Sequence, residues 1–349
     1  MGLTLAEKII KAHLVEGEMI KGSEIGIKID QTLTQDSTGT MAYLQFEAMG
    51  IDTVKTKRSV AYIDHNMLQQ GFENADDHKY IQTVANKHGI YFSRPGNGVC
   101  HQVHVERFGV PGETLLGSDS HTRYGALGTM AMGEGGPELV KQLLNRTYDI
   151  NMPGVVAIYM TGAPMKGVGP QDVALAIIGA VFGNGYVKNK VMEFVGPGVS
   201  SLSADFRIGV DVMTTETTCL SSIWRTDDQI KEFYDIHGRS ESYKELNPGA
   251  VAYYDGVVKV DLSKIKPMIA MPFHPSNTYT IEEVNANLAD ILHDVEQKAL
   301  VSLDGQVDYQ LMNKVRDGKL YVDQGIIAGC AGGGFENICA AADILKGRS

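Results

Sequence analysis

Leu5, Ile9, Ile10 and Leu14 recur at three- and four-residue spacing behind Thr4, a pattern that predicts an opening amphipathic helix with Thr4 as its N-cap. Ile25 to Ile29 alternates and predicts a strand. The chain turns polar over Thr34-Gln35-Asp36-Ser37-Thr38-Gly39 and then feeds a second helix through Met41, Leu44, Gln45 and Ala48, closed by Gly50 as a left-handed cap. Ser59 to Ile63 and Ile90 to Phe92 read as buried strands with a helix over 74–88 between them. Thr114-Leu115-Leu116 predicts a further strand, running into Gly117-Ser118-Asp119-Ser120-His121-Thr122. Gln35, Asp64-His65 and Asp119-Ser120-His121 are thus delivered at strand ends. The alternation predicts layered α/β/α domains with mostly parallel sheets and chemistry at the C-terminal rim.

Further along, Val155 to Met160 and Val191 to Val195 read as strands around an apolar helix over 173–182, and Val257 to Leu262 alternates again. A helix over 281–300 is polar on one face. Gln324 to Ala328 predicts a buried strand, followed by the glycine-rich Gly329-Cys330-Ala331-Gly332-Gly333-Gly334 and a closing helix that would bury Cys339. The polar break at Met165 to Gly169 and the proline-bounded stretch from Pro267 to Pro275 suggest three parts: 1–167 and 168–272 as α/β domains, and 273–349 as a linker and the start of a third.

Composition narrows the function classes. A chain of 349 residues exceeds one ordinary core, and 43% hydrophobic with 21% charged residues describes a globular protein. A net charge of -11 without a basic stripe argues against nucleic-acid binding. Cys100, Cys219, Cys330 and Cys339 form no paired motif, so a reducing cytoplasm is the expected setting. The N-terminal helix carries Lys8 and Lys11 and has no apolar signal core; the longest apolar run, 173–182, is too short to cross a membrane.

Asp64-His65 and Asp119-Ser120-His121 each set a carboxylate near an imidazole. Such pairing raises the imidazole pKa and fixes its tautomer, as a proton shuttle needs; the same residues also suit caps and turns. Adjacent strand residues point apart, so pairing across strands is as open as pairing within a doublet. His101 and His104 share one helix face and form either a metal pair or an ordinary helix surface. Cys330, at a strand end before a helix N-terminus, is expected to have its thiolate stabilised. It would serve as nucleophile or metal or cluster ligand, or else be a small residue in a tight turn. His13, His78, His88, His237 and His293 suggest no role. The glycine run lacks the following acidic residue of a dinucleotide loop, and there is no Walker lysine.

Taken in order, Thr34-Gln35-Asp36-Ser37-Thr38, Ile63-Asp64-His65, Arg94-Pro95-Gly96-Asn97-Gly98 with His101-Gln102, Gly117-Ser118-Asp119-Ser120-His121-Thr122, Pro170-Gln171-Asp172-Val173 and Gly196-Pro197-Gly198-Val199 resemble the aconitase family. That family includes the homoaconitase and isopropylmalate isomerase large subunits. The resemblance implies a hydro-lyase that reversibly dehydrates a di- or tricarboxylic hydroxy acid, such as citrate or isocitrate through cis-aconitate, with a [4Fe-4S] cluster as Lewis acid. It implies substrate contacts from Gln35 and Ser120, proton handling by Asp64 with His65 and by Asp119 with His121, His101 held by Glu216, and Cys330 as the first cluster ligand.

The sequence departs from that pattern at three places. Val212 stands where the family has an asparagine near the cluster, Ala331-Gly332 replaces Thr-Asn after the first cluster cysteine, and Arg123-Tyr124 follows the Asp-Ser-His motif. An extra polar segment spans about Val301 to Leu320. The family's second and third cluster cysteines, substrate-binding arginines and swivelling-domain serine have no counterpart within these residues. The expectation is therefore the N-terminal part of such an enzyme, inactive and without an intact cluster on its own, whose partners are a small carboxylic acid and the missing cluster and swivelling domains. A non-catalytic relative that binds a carboxylate or a protein partner is the alternative.

Overall fold

The structure is a computed structural model that describes residues 2–144 and 146–347. Thr4 caps the Leu5–His13 helix in a reciprocal box with Glu7, which leaves Leu5, Ala6, Ile9 and Ile10 to face the core. The next elements form an antiparallel sheet of Leu14–Gly17, Glu24–Ile27 and Tyr148–Asn151.

Five strands build the first parallel sheet, in the order Tyr91–Ser93, Arg58–Tyr62, Gln31–Thr34, Thr114–Gly117, Met130–Gly133. From Gln31–Thr34 the chain first builds outward to one side and then returns to build the other. The strand order therefore reverses between Gln31–Thr34 and Thr114–Gly117, and a crevice opens there above the C-terminal strand ends. A second parallel sheet has the order Ser221–Trp224, Val191–Val195, Val155–Thr161, Gly256–Asp261. Val155–Thr161, on the N-terminal side of residue 167, is an inner strand of this sheet.

One buried cluster joins the sheets, from Leu33, Val60 and Leu115 to Val156, Phe194 and Trp224. Trp224 stacks on Phe194 with centroids 3.9 Å apart, and its Nε1 donates to Asp211 Oδ1 at 2.8 Å. The other Asp211 oxygen accepts the Ala126 amide at 3.2 Å. The two layers are thus pinned by a polar contact as well as by burial. Among the described residues no helix is long and apolar enough to cross a membrane.

Three sequence expectations are corrected. The Asp36–Ala48 helix buries Ala42, Tyr43 and Phe46, whereas Met41 and Leu44 are exposed, because it packs on the helices Glu73–His88 and Gly136–Leu143 with the other face. Gln324 to Ala328 is exposed and forms no strand, since no neighbouring strand meets it. Cys339 is exposed, because the Phe335–Leu345 helix buries none of its residues. The polar 301–320 segment contains a hairpin, Val315–Arg316 with Lys319–Leu320, turned by Asp317 and Gly318 at φ 51° and 70°. That is the Asp-Gly signature of a two-residue turn.

Candidate active site

Gly117 and Gly133 allow the loop after the Thr114–Gly117 strand to close tightly. A Cβ at Gly117 would lie 2.0 Å from Thr122 Oγ1, and one at Gly133 2.4 Å from the Asp119 carbonyl. Asp119 is therefore held inward over the crevice. Its Oδ1 accepts from the His121 amide at 2.8 Å and from His101 Nε2 at 3.1 Å, while Oδ2 lies 3.2 Å from His65 Nε2.

His65 bridges two acids. Its Nδ1 is 2.9 Å from Asp64 Oδ1, and Asp64 Oδ2 accepts the Cys100 amide at 2.6 Å at the start of the Cys100–Arg107 helix. Both ring nitrogens thus face carboxylate oxygens, which calls for the imidazolium. Hydrogen bonds to Asp119 and Asp64 outweigh burial and raise the His65 pKa to about 10. Burial pulls Asp119 upward, but His101, His121 and His65 together hold its carboxyl far below the usual range. Pairing occurs both within the first doublet and across strands.

The Asp64-His65 turn is itself fixed from below by Asp36. This buried carboxylate accepts the amides of Asp64, His65 and Asn66 at 3.0, 2.8 and 2.8 Å and faces His78 Nε2 at 3.2 Å. These amide bonds overcome the cost of burial and lower the Asp36 pKa. Asp36, Asp64 and His65 offer three potential ligand atoms within 4.8 Å. Asp36, however, already accepts from three amides and faces His78, and both His65 nitrogens face carboxylates.

His101 continues the network inward, its Nδ1 2.9 Å from the hydroxyl of fully buried Tyr124. Glu216 is not its partner, contrary to expectation. Asp119 and Tyr124 occupy both ring nitrogens, and Glu216 lies 3.6 Å from His121 Nε2 and 3.8 Å from His274 Nε2. His121 is half-exposed; Asp119, against the pull of burial, and then Glu216 raise its pKa. Ser120 stands exposed beside it, its Oγ 3.3 Å from His121 Nδ1. Gln35 is buried as the cap of the Asp36–Ala48 helix, its Oε1 accepting the Ser37 amide at 2.5 Å. His104 forms no metal pair with His101. It is fully buried, between Tyr62 Oη at 3.0 Å and Gln31 Oε1 at 3.0 Å, and burial and then neighbouring positive charge keep it neutral.

Cys330 is half-buried at the edge of this network, on the four-residue helix Gly329–Gly332. The expected thiolate stabilisation is reversed. Burial and then the charge of Asp119 push its thiol up to about 11, and the amides of Cys330 and Ala331 offset this only in part. Cys100 is buried at the helix start against Asp64, the Cys219 thiol donates to Thr214 O at 3.4 Å, and Cys339 faces solvent. Among the described residues no three thiols converge. The donor set present does not fit a three-thiolate cluster.

Sequence reasoning missed Asp36, Tyr124, His78 and His274 as members of this site. Asp36 carries the one usable signal, being an acidic residue at a helix start and strand end. His274 lies in the stretch read as linker and stacks on Phe182 at 4.1 Å, which brings it to Glu216.

The family model for the aconitase family (aconitate hydratase) matches residues 7–349. The 3-isopropylmalate dehydratase large subunit of Acetivibrio thermocellus is 30% identical over 353 residues, covering 100% of this chain and 76% of its own length. That of Clostridioides difficile is 29% identical with the same coverage, and that of Caldicellulosiruptor bescii is 29% identical, covering 99% of this chain and 74% of its own.

Proposed function

The chain belongs to the aconitase family, and from that premise we propose that it contributes the proton-handling half of a hydro-lyase site acting on a dicarboxylic hydroxy acid. The observation that carries this reading is the His65 imidazolium held between Asp64 and Asp119, with an exposed ring edge at the crevice. Loss of water from a hydroxy acid breaks the C–OH bond and the neighbouring C–H bond, so it needs a proton on the departing oxygen, a base for the C–H proton and a positive field for the carboxylates; these residues serve the first and the third. His65 supplies the field. His121, half-exposed and raised by Asp119 and Glu216, is the proton donor in reach of bound substrate. Ser120 Oγ and the Gln35 amide are the proposed carboxylate contacts, and His101, fixed by Tyr124, orients Asp119.

Relatives named 3-isopropylmalate dehydratase large subunit favour an isopropylmalate-type acid over citrate as substrate, and a second, smaller subunit as partner. The family normally binds a [4Fe-4S] cluster, and among the described residues Cys330 and Cys100 are the thiols beside the acid–imidazole network, Cys100 against Asp64. Cys219 bonds to Thr214 and Cys339 faces solvent, so the described residues supply no third thiol beside these two and no step runs through a cluster.

The test is dehydration of 3-isopropylmalate, followed by ultraviolet absorbance of the unsaturated acid, with the chain supplied alone and then with a small subunit. Turnover that His121→Asn abolishes supports the reading. Binding of the acid without turnover under both conditions would point instead to a non-catalytic carboxylate binder.

A further inference from the structure

On the opposite side of the first sheet from the crevice, at the N-terminal end of the Arg58–Tyr62 strand, an open cleft of about 690 Å³ carries an unbalanced charge. Lys57, Arg58, Arg107, Arg239 and Lys244 line it, against Glu113 and Glu241. In a chain of net charge -11 such a concentration of cations is unusual.

The acids do not neutralise it. Glu113 is already engaged, accepting from Gln31 Nε2 at 2.6 Å and paired with Lys57. Arg239 donates only to backbone, to Glu106 O at 3.1 Å and Gly109 O at 2.7 Å, so its guanidinium caps the end of the Cys100–Arg107 helix without losing its charge. Among the described residues Arg58, Arg107, Arg239 and Lys244 have no carboxylate partner within ion-pair distance. Arg58 instead lies over the Phe108 ring, 5.2 Å from its centroid. Burial pulls the Arg239 pKa below its ordinary value; the like charges of Arg58 and Arg107 add to this, while Tyr234 and Glu241 offset it in part. Five cations against two carboxylates leave an excess of like charge, and a bound anion relieves that repulsion.

We propose that this cleft, lined by Arg58, Arg107, Arg239 and Lys244, is a binding site for a small multivalent phosphate-bearing anion, separate from the crevice that holds His65. Guanidinium groups arriving from three chain segments suit a tetrahedral oxyanion, which offers oxygens in several directions. The concave shape and the acidic remainder of the surface favour a small anion over a nucleic-acid backbone. The site also lies at the far end of the helix that begins at Cys100 and carries His101, so its occupant bears on an element of the catalytic rim.

Isothermal titration of the whole chain with pyrophosphate, at an ionic strength held constant with chloride, tests the proposal. Two variants accompany it: Arg107→Gln/Lys244→Gln, both exposed positions, and His65→Gln, which alters the crevice instead. The expected result is one pyrophosphate site that survives His65→Gln and weakens at least about tenfold in the double variant. Absence of binding by the unmodified chain, equal affinity in the double variant, or loss in His65→Gln alone would each overturn it. Should the double variant fail to fold, the arginine side-chain NMR signals of the unmodified chain decide. Shifts of Arg58, Arg107 and Arg239 on adding pyrophosphate support the site, and unmoved signals refute it.

Discussion

The rim of the first sheet and the segment that carries Cys330 reach the same corner of the molecule with very different degrees of constraint. On the rim, Asp119 is engaged by His65, His101 and the His121 amide, Asp64 is tied to Cys100 and His65, and Asp36 holds the turn from beneath. Around Cys330, residues 321–329 are exposed. The following helix is attached to its neighbour by Ser203 Oγ on Glu336 at 2.6 Å and by the Glu336 amide on Asp205 at 3.2 Å. The difference teaches that chemistry and rigidity are supplied together where a carboxylate is over-determined. A thiol without such partners keeps the high pKa that burial imposes.

Removing the centre of the rim should have the largest effect. Asp119→Asn removes the negative charge and one of the two acceptor oxygens that His65, His101 and His121 share, and hydro-lyase activity is expected to fall by about 10²–10⁴-fold. The same change should bring the His65 ring signals of an NMR titration down from about 10 toward ordinary histidine values. A His65 pKa that stayed put would show that Asp64 alone sustains the imidazolium.

The sign of the pH dependence follows from these shifts. His65 is raised, so its stabilisation is complete below an unfolded pKa of ~6.5 and is lost as pH rises through about 10. Asp119, Asp64 and Asp36 are lowered, so theirs is complete above ~4 and is lost as pH falls through their folded values. The network's contribution to stability should therefore peak between pH ~4 and ~6.5, and the difference in melting temperature between the chain and Asp119→Asn should narrow on either side of that window.

Cutting the support under the rim comes next in size. Asp36→Ala leaves the amides of Asp64, His65 and Asn66 without their acceptor and is expected to cost roughly 2–4 kcal/mol in urea denaturation, with faster hydrogen exchange at those three amides. Unchanged exchange there would mean that the turn holds itself. Tyr124→Phe removes one buried hydroxyl from His101 and should cost about 1 kcal/mol. Its effect on the pH profile of turnover would reveal how far the tautomer of His101 depends on that bond.

The smallest effect is expected in the contrasting region. Cys339→Ser, on an exposed helix face, should change stability by less than about 0.5 kcal/mol. Limited proteolysis should cut between residues 321 and 329 before any site on the rim, because that backbone has few partners. Early cleavage at the Asn66–Gly71 loop instead would invert the contrast.

Much of the fold could be read from the sequence, because strand periodicity, caps and glycine stops are local. The Thr4 cap, the strands at Arg58–Tyr62 and Val191–Val195 and the helix ending at His88 all follow from neighbouring residues. Errors arose where a partner decides. Met41 and Leu44 have the spacing of a core face, yet the packing helices meet the Ala42, Tyr43 and Phe46 side. Ile326 and Ile327 have strand chemistry and find no strand beside them.

For the site, the sequence by itself determined which chemistry is available: carboxylate and imidazole pairs at the ends of parallel strands, in an order that resembles one enzyme family. It did not determine who holds whom. The tertiary structure alone decided that His65 bridges Asp64 and Asp119, that His101 turns to Tyr124 rather than Glu216, and that Asp36 anchors amides 28 to 30 residues away. Hydrogen bonds between distant segments depend on sheet order and on the tightness of loops such as Gly117 to Gly133, and no local spacing encodes either.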